Sequence, residues 1–427
     1  MDIACQQGSA VGVKRGTCAF VHRGEAPLLF AHCRLRAKPT VAAKSLDMKR
    51  TLAASIQSTF KHTRWQKECR RGLSEETMNT KRLVKVALGT AVLAAALACF
   101  AAPKKGSKAS TQAASLSDNS GAKIALSSLA HRTEGTSAPV VYFTPQITAD
   151  ALIKAYDALS WKPVGKLAIK LSTGEPPASN YLRADLIGGL VGKVGGTIVE
   201  CNTAYGGSRA ETAMHYQVAK DHGFTALAPF QIMDEKGSMT LPVAGGTVLK
   251  ENYVGAAFAD YDSYLVLSHF KGHAMAGFGG AIKNISIGLG SSEGKMWIHT
   301  GGKSRTTWRG GTQDEFLAAM ADAGKAVSDA LGKGERIVYV SVMNRLSVDC
   351  DCNGNPDEPD LHDIGILSSR DPVALDQACL DLVYASDNKE SAALRERIES
   401  RNGVHTLETA EKIGLGSRSY RLVVLDN

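Results

Sequence analysis

The sequence predicts an α/β fold, a mostly parallel sheet flanked by helices, built as one large domain or as two lobes. Three observations carry this expectation. Strand-like and helix-like segments alternate along the chain from about residue 166. Tyr264-Leu265-Val266-Leu267 is a continuous apolar run, the pattern of a strand covered on both faces. Asp371-Pro372 is a helix start, with a capping carboxylate and a proline in the first turn.

In chain order, residues 166–171 read as a strand and residues 184–194 as a helix. Residues 197–200 give a second strand, followed by a helix over 210–220. The apolar run at 264–267 comes next. Phe316, Met320, Ala323, Val327 and Leu331 recur at helical spacing, and residues 336–342 are again strand-like. The helix opened by Asp371 runs to about Tyr384, two short helices follow, and residues 420–425 close the chain as a strand.

The N-terminal part differs in character. Residues 1–77 hold fourteen Lys and Arg against six Asp and Glu, which accounts for the net charge of +8 and leaves residues 78–427 formally neutral. That stretch shows no recognition motif and no sustained amphipathic period, so no nucleic-acid partner is expected. Residues 78–85 form a short basic head, an Ala/Val/Leu run spans 86–98, and Ala96-Leu97-Ala98 supplies a small-x-small cleavage pattern. The run falls short of the roughly 20 apolar residues that a membrane span needs. Residues 78–98 are therefore expected to be a secretory signal peptide, with Met78 as the working start and residues 1–77 a disordered, non-native upstream extension. An Arg-rich, acid-poor eukaryotic presequence is the rival reading of that extension.

Cys99 follows the cleavage pattern directly, so a lipid there, the one membrane link expected, stands beside soluble export to the periplasm or envelope. Residues 99–137, rich in Ser, Ala, Lys, Thr and Gly, read as a flexible linker, and the globular domain runs over 138–427. Export implies an oxidising compartment. Beyond Cys99 the chain has only Cys201, Cys350, Cys352 and Cys379, too few for a disulfide scaffold. Cys379 shares a helical face with Leu375, Leu382 and Val383 and reads as core.

The chemistry centres on Asp349-Cys350-Asp351-Cys352-Asn353-Gly354. In an extended segment the two cysteines point to one face, with Asp349 and Asp351 opposite. A disulfide across a single intervening residue closes a tight ring, so two thiolates gripping zinc, iron or an iron–sulfur cluster are the more natural use. The same run, continued to Asp360, matches a calcium loop at positions one, three, five, six and twelve, although Asp replaces Glu at the twelfth and Pro356 and Pro359 interrupt it. An acidic surface loop without metal is the plain alternative.

Two further strand ends contribute. Ser268-His269-Phe270-Lys271-Gly272-His273 lies just past the apolar strand, where open α/β sheets gather ligand groups. His269 and His273 join the metal if this segment coils, and Lys271 pairs with an anion. The glycine-rich run after it ends in Lys283, which can also reach an anionic group. Asn202, Tyr205 and Arg209 follow the strand at 197–200 and could orient a ligand. His299 is ambiguous.

Taken together, these motifs resemble the domain-of-unknown-function 362 family, described as iron–sulfur proteins. The matching pieces are Lys170…Gly174-Glu175, Asn202-Thr203-Ala204-Tyr205 with Arg209, and Ser268 to His273. Gly279-Gly280-Ala281-Ile282-Lys283-Asn284, Gly294-Lys295, Cys350-Asp351-Cys352, Asp363-Ile364-Gly365 and Asp371-Pro372-Val373-Ala374 complete the set. The resemblance spans residues 138–427 and adds Lys170, Asn284 and Asp363 to the expected ligand-binding residues. Many members carry ferredoxin-like cysteine runs where residues 300–314 of this chain hold none, so a ferredoxin role is not implied.

The expectation is an exported metal- or cluster-binding α/β protein with a redox or enzymatic role and a redox partner the sequence does not name. Cys350, Cys352, His269, His273, Asp349 and Asp351 surround the metal. The alternative is a non-catalytic binder of a small anion or calcium.

Overall fold

The computed structural model describes residues 115–425. The upstream extension, the signal peptide and Cys99 lie outside the described residues. Two short strands, β1 (Ser115–Ser117) and β2 (Lys123–Ala125), pair as an antiparallel hairpin. Then come β3 (Val140–Thr144), α1 (Ala149–Ala158), β4 (Leu167–Lys170), α2 (Ala184–Val194), β5 (Thr197–Glu200), α3 (Thr212–Asp221) and β6 (Phe230–Ile232). A second hairpin pairs β7 (Ser238–Pro242) with β8 (Glu251–Gly255). β9 (Ser263–His269) leads into a third, β10 (Lys271–His273) with β11 (Gly277–Gly279). The chain continues through α4 (Ala281–Ser286), α5 (Ser292–His299), α6 (Gln313–Ala330), β12 (Ile337–Met343) and β13 (Gly365–Ser369). It ends with α7 (Pro372–Ala385), α8 (Ala392–Ser400), α9 (His405–Lys412) and β14 (Arg421–Val424).

One eight-stranded sheet, ordered β14-β3-β13-β12-β9-β4-β5-β6, organises the described residues as a single unit rather than two lobes. Only β13 runs against its neighbours; every other pairing is parallel. Alternate side chains of the central strands feed two cores. Tyr264 and Val266 pack on the side of α4, α6 and α7, whereas Leu265 and Leu267 pack on the side of α1 and α2. Burial on both faces explains the apolar runs at residues 264–267 of β9 and 337–340 of β12.

Local signals set the helix starts. The Asp371 side chain accepts from the amides of Val373 and Ala374 at 2.8 and 2.9 Å. Thr312 and Glu315 form a reciprocal capping box at the head of α6. Sheet connectivity then creates a switch point. The chain leaves β4 toward β5 and β6, then returns to lay β9 on the other side of β4. Connections departing in opposite directions leave a crevice at the carboxyl ends of β4 and β9, the usual seat of a ligand in an open α/β sheet.

The expected linker is corrected at its C-terminal end. Within residues 115–137 the small hairpin and the turn after it bury Leu116, Ile124, Leu126 and Leu129 in the larger core, and Thr133 donates its amide to the Tyr420 carbonyl at 2.8 Å. Isolated apolar residues in a Ser/Ala-rich stretch show no period, which is why composition hides them. Among the described residues, no helix is long and apolar enough to cross a membrane. Because Ile124 is buried, Ile124→Ala is expected to cost roughly 2–4 kcal/mol in chemical denaturation; a tether residue would show no change.

Candidate functional site

The crevice at the switch point opens into a cavity of about 350 Å³. Strand ends supply Lys170 from β4, Glu200 from β5 and His269 from β9. The third hairpin adds Lys271 and His273, α4 adds Lys283 and Asn284, and α5 adds Lys295 and His299. The loop after β12 closes one wall with Cys350, Asp351 and Cys352, while Met275 and Trp308 give an apolar, exposed rim.

Asp351 anchors that wall. Its carboxylate, buried at 2% exposure, accepts from His269 Nδ1 at 2.7 Å and from Lys271 Nζ at 2.7 Å. Burial would raise its pKa, but the charges of Lys271 and His269 and their hydrogen bonds hold it well below the ordinary carboxylate range. The Asp351 carbonyl accepts the Glu175 amide at 2.8 Å, so the cysteine loop is fastened to the segment after β4 as well. Gly272 makes this docking feasible: a Cβ there would sit 2.2 Å from the Val348 carbonyl oxygen.

A second charged cluster lies across the pocket. Glu200 accepts from the amide and hydroxyl of Thr173 at 2.7 and 2.6 Å and lies 3.3 Å from His215 Nε2. Burial opposes its ionisation, yet Lys170, His215 and Arg209 hold its pKa well down. Lys170 donates to the Leu171 carbonyl at 2.6 Å and to Asn284 Oδ1 at 2.9 Å, and burial lowers its pKa to about 8. Arg209 spans Glu175, Ser172 and Tyr205 at 3.0, 3.3 and 2.8 Å.

Several expected roles change. The cysteine segment is a turn, with the Asn353 amide bonded to the Cys350 carbonyl at 2.9 Å, rather than extended chain. Cys350 and Cys352 are joined as a disulfide, with Cα atoms 5.2 Å apart, instead of standing as two thiolates. His269 is not a metal ligand here: one ring nitrogen faces Asp351 and the other faces the Asn344 carbonyl at 2.6 Å. Both partners only accept, so both nitrogens donate and neither lone pair remains. Residues 271–273 are strand rather than a coil, which carries His273 away from His269 toward the sulfurs.

The calcium reading also fails on geometry. Both oxygens of Asp351 are taken by ion pairs, while Asp349 turns outward to Asn353, Asp357 and Arg397. The ligand atoms that do gather are those of His273, Cys350 and Cys352, all within 4.8 Å of one another. Two expected ligand-binding residues stand outside the cavity lining. Asn202 orients the Glu200 cluster, lying 3.2 Å from His215 Nδ1, and Asp363 accepts the Arg345 amide at 2.7 Å. Lys170, Tyr205, Arg209, Lys271, Lys283 and Asn284 do line the cavity.

The structure adds Glu200, Lys295 and His299. Glu200 was findable, because it ends a strand as Lys170 does. His299 Nδ1 donates to the Lys295 carbonyl at 2.7 Å, which leaves Nε2 with its lone pair. His273 has the opposite polarity. Its Nδ1 accepts the amides of Met275 and Ala276 at 3.2 and 2.8 Å. Burial, with Lys283 nearby, pushes its pKa well down and keeps the ring neutral, so the proton resides on Nε2. Cys379 is buried core, as expected.

Fold and pocket together define an α/β protein with a cationic cleft at the strand ends. Residues 167–381, half of the chain, match the family described as Domain of unknown function (DUF362), and the protein belongs to that family. No curated protein matches the chain. Among solved structures it is similar to the lactate racemase apoprotein from Thermoanaerobacterium thermosaccharolyticum, at 15% identity and a TM-score of 0.32, over 53% of this chain and 55% of that one. A structural-genomics target protein from Thermotoga maritima gives 11% identity and a TM-score of 0.30, over 60% and 58%. The chain thus spans little more than half the length of either.

A depressed carboxyl pKa stabilises the fold above its unfolded value, near 3.9, and that contribution is lost as pH falls below it. Asp351→Asn is therefore expected to lose roughly 3–5 kcal/mol at neutral pH and to show a shallower loss of stability in acid. Denaturant titrations across the acid range check both; identical acid limbs in the two proteins would remove Asp351 from this role.

Proposed function

We propose that this is an exported protein that binds a small anion in the strand-end pocket and acts on it through a soft or borderline metal ion, iron or zinc. Reduced Cys350 and Cys352 hold the ion. The observation that carries the reading is the gathering of Cys350, Cys352 and His273 within 4.8 Å in the wall of a pocket rich in cations. Lys271, Lys283, Lys295 and Arg209 supply the attraction for an anion.

The donor set fits a single ion held by two sulfurs. Thiolates suit zinc and iron, and the open pocket leaves positions for a ligand. A Cys₄ cluster does not fit, because the remaining pocket cysteine, Cys201, donates to the Leu289 carbonyl at 3.4 Å and is not in the gathered group. With its proton on Nε2, His273 serves as a hydrogen-bond donor toward sulfur rather than as a third ligand. Such an ion supplies Lewis-acid or electron-transfer chemistry when bound. The chain's own part is to fix the sulfurs through Asp351 and to neutralise the anion.

One observation favours a second reading. Cys350 and Cys352 are bonded to each other, and a neutral imidazole N–H beside them stabilises a thiolate when the bond opens. In that reading the pair cycles between dithiol and disulfide, releasing two electrons and two protons on oxidation, to an exported thiol–disulfide partner.

Metal analysis of protein purified without oxygen separates the two. The first reading expects about one iron or zinc per chain, lost in the double variant Cys350→Ser, Cys352→Ser. Metal retained by that variant contradicts it. Metal-free wild type, gaining two titratable thiols on reduction, selects the dithiol reading.

A further inference from the structure

The pocket holds five cationic side chains, and four of them are engaged. Lys170 bonds the Leu171 carbonyl and Asn284, and Arg209 bonds Glu175, Ser172 and Tyr205. Lys271 bonds the His269 carbonyl and Asp351, and Lys295 bonds the Gly290 carbonyl. Lys283 Nζ has no hydrogen-bond or salt-bridge partner among the described residues, although it lines the same cavity. The nearest logical counter-ion, Asp351, already has one oxygen on His269 and the other on Lys271.

The base of this side chain is fixed. Asp376 takes the first two amides of α4, Ala281 and Ile282, at 2.7 and 2.9 Å. Gly280 permits that approach, since a Cβ there would lie 2.3 Å from Asp376 Oδ1. The stems of Lys283 and Lys271 then run together over Gly279, whose absent Cβ would meet them at 3.3 and 3.6 Å. An anchored base, a like charge alongside and an uncommitted nitrogen facing a cavity are what an amine nucleophile needs.

We infer that Lys283 captures a small anion bearing an aldehyde or ketone carbonyl, a 2-oxo acid being the simplest, as a Schiff base. This rests on the anion-binding part of the function proposed above and names its substrate class. The Lys283 nitrogen pair attacks the carbonyl carbon while the C=O π pair moves to oxygen. The nitrogen gives up both of its protons, the oxygen takes up two and leaves as water, and a neutral C=N bond remains, with no net oxidation or reduction. Lys295, which uses one of its three ammonium hydrogens on Gly290, has two left for the carboxylate. Burial first, and Lys271 second, bring the Lys283 pKa down to about 7, so much of the amine is neutral under physiological conditions.

Glyoxylate with sodium borohydride tests this in the full-length protein, because reduction fixes the imine as a carboxymethyl group on one lysine. Peptide mapping is expected to place that group on Lys283 well ahead of the exposed lysines. Lys283→Arg keeps the charge and removes the nucleophile. It should abolish the adduct with an unchanged far-ultraviolet circular dichroism spectrum, and binding of oxalate, an anion without an aldehyde or ketone carbonyl, is measured by calorimetry on the wild-type protein. Adducts spread evenly over surface lysines, or none at Lys283 in a protein that binds oxalate, overturn the Schiff-base role and leave the anion pocket standing. Failure of both oxalate binding and adduct formation overturns the pocket reading together with it.

Discussion

The site depends on one buried carboxylate. Asp351 sits between His269 at the end of β9 and Lys271 at the start of β10, so a single ionised side chain ties the cysteine loop to the centre of the sheet. A charge held at 2% exposure is tolerable only with both oxygens satisfied by cations, and both are. That same pairing has two consequences for chemistry. It removes Asp351 and His269 from any coordination sphere, and it swings the flanking Cys350 and Cys352 toward His273.

The remaining charges follow from the switch point. Parallel strands end on one side of the sheet, and β4, β5 and β9 each end in a residue of that crevice. Lys170 and Glu200 sit on neighbouring strands and come within 3.9 Å, while Arg209 bridges outward to Glu175. Acidic groups in the pocket are thereby consumed by partners, leaving the lysines as the net field. On the function proposed above, such a pocket would draw small anions by charge and hold them against sulfur and imidazole.

Much of the scaffold was legible in the sequence because its signals are local. The helix at 184–194 and the strand at 197–200 need only apolar period and a turn between them, and Asp371-Pro372 announces α7 through its own capping bonds. The 115–125 hairpin was not legible, since Leu116 and Ile124 are single apolar residues whose burial depends on a core far away in sequence. In the site, the strand-end rule named Lys271 and Arg209, which line the cavity, whereas Lys170 came from the family resemblance and the cysteine pair from its spacing. It could not assign roles. The choice between ligand and ion pair for Asp351 and His269 turns on one turn at 350–353, and His273 and His299 differ only in whether Nδ1 accepts from a backbone amide or donates to a backbone carbonyl.

The central claim is that the Asp351 clamp presents two sulfurs to one ion in an anion pocket. X-ray absorption at the metal edge of protein prepared without oxygen reads that directly. The account predicts about two sulfur neighbours near 2.3 Å, with lighter atoms completing the shell. A first shell made only of oxygen and nitrogen would contradict it.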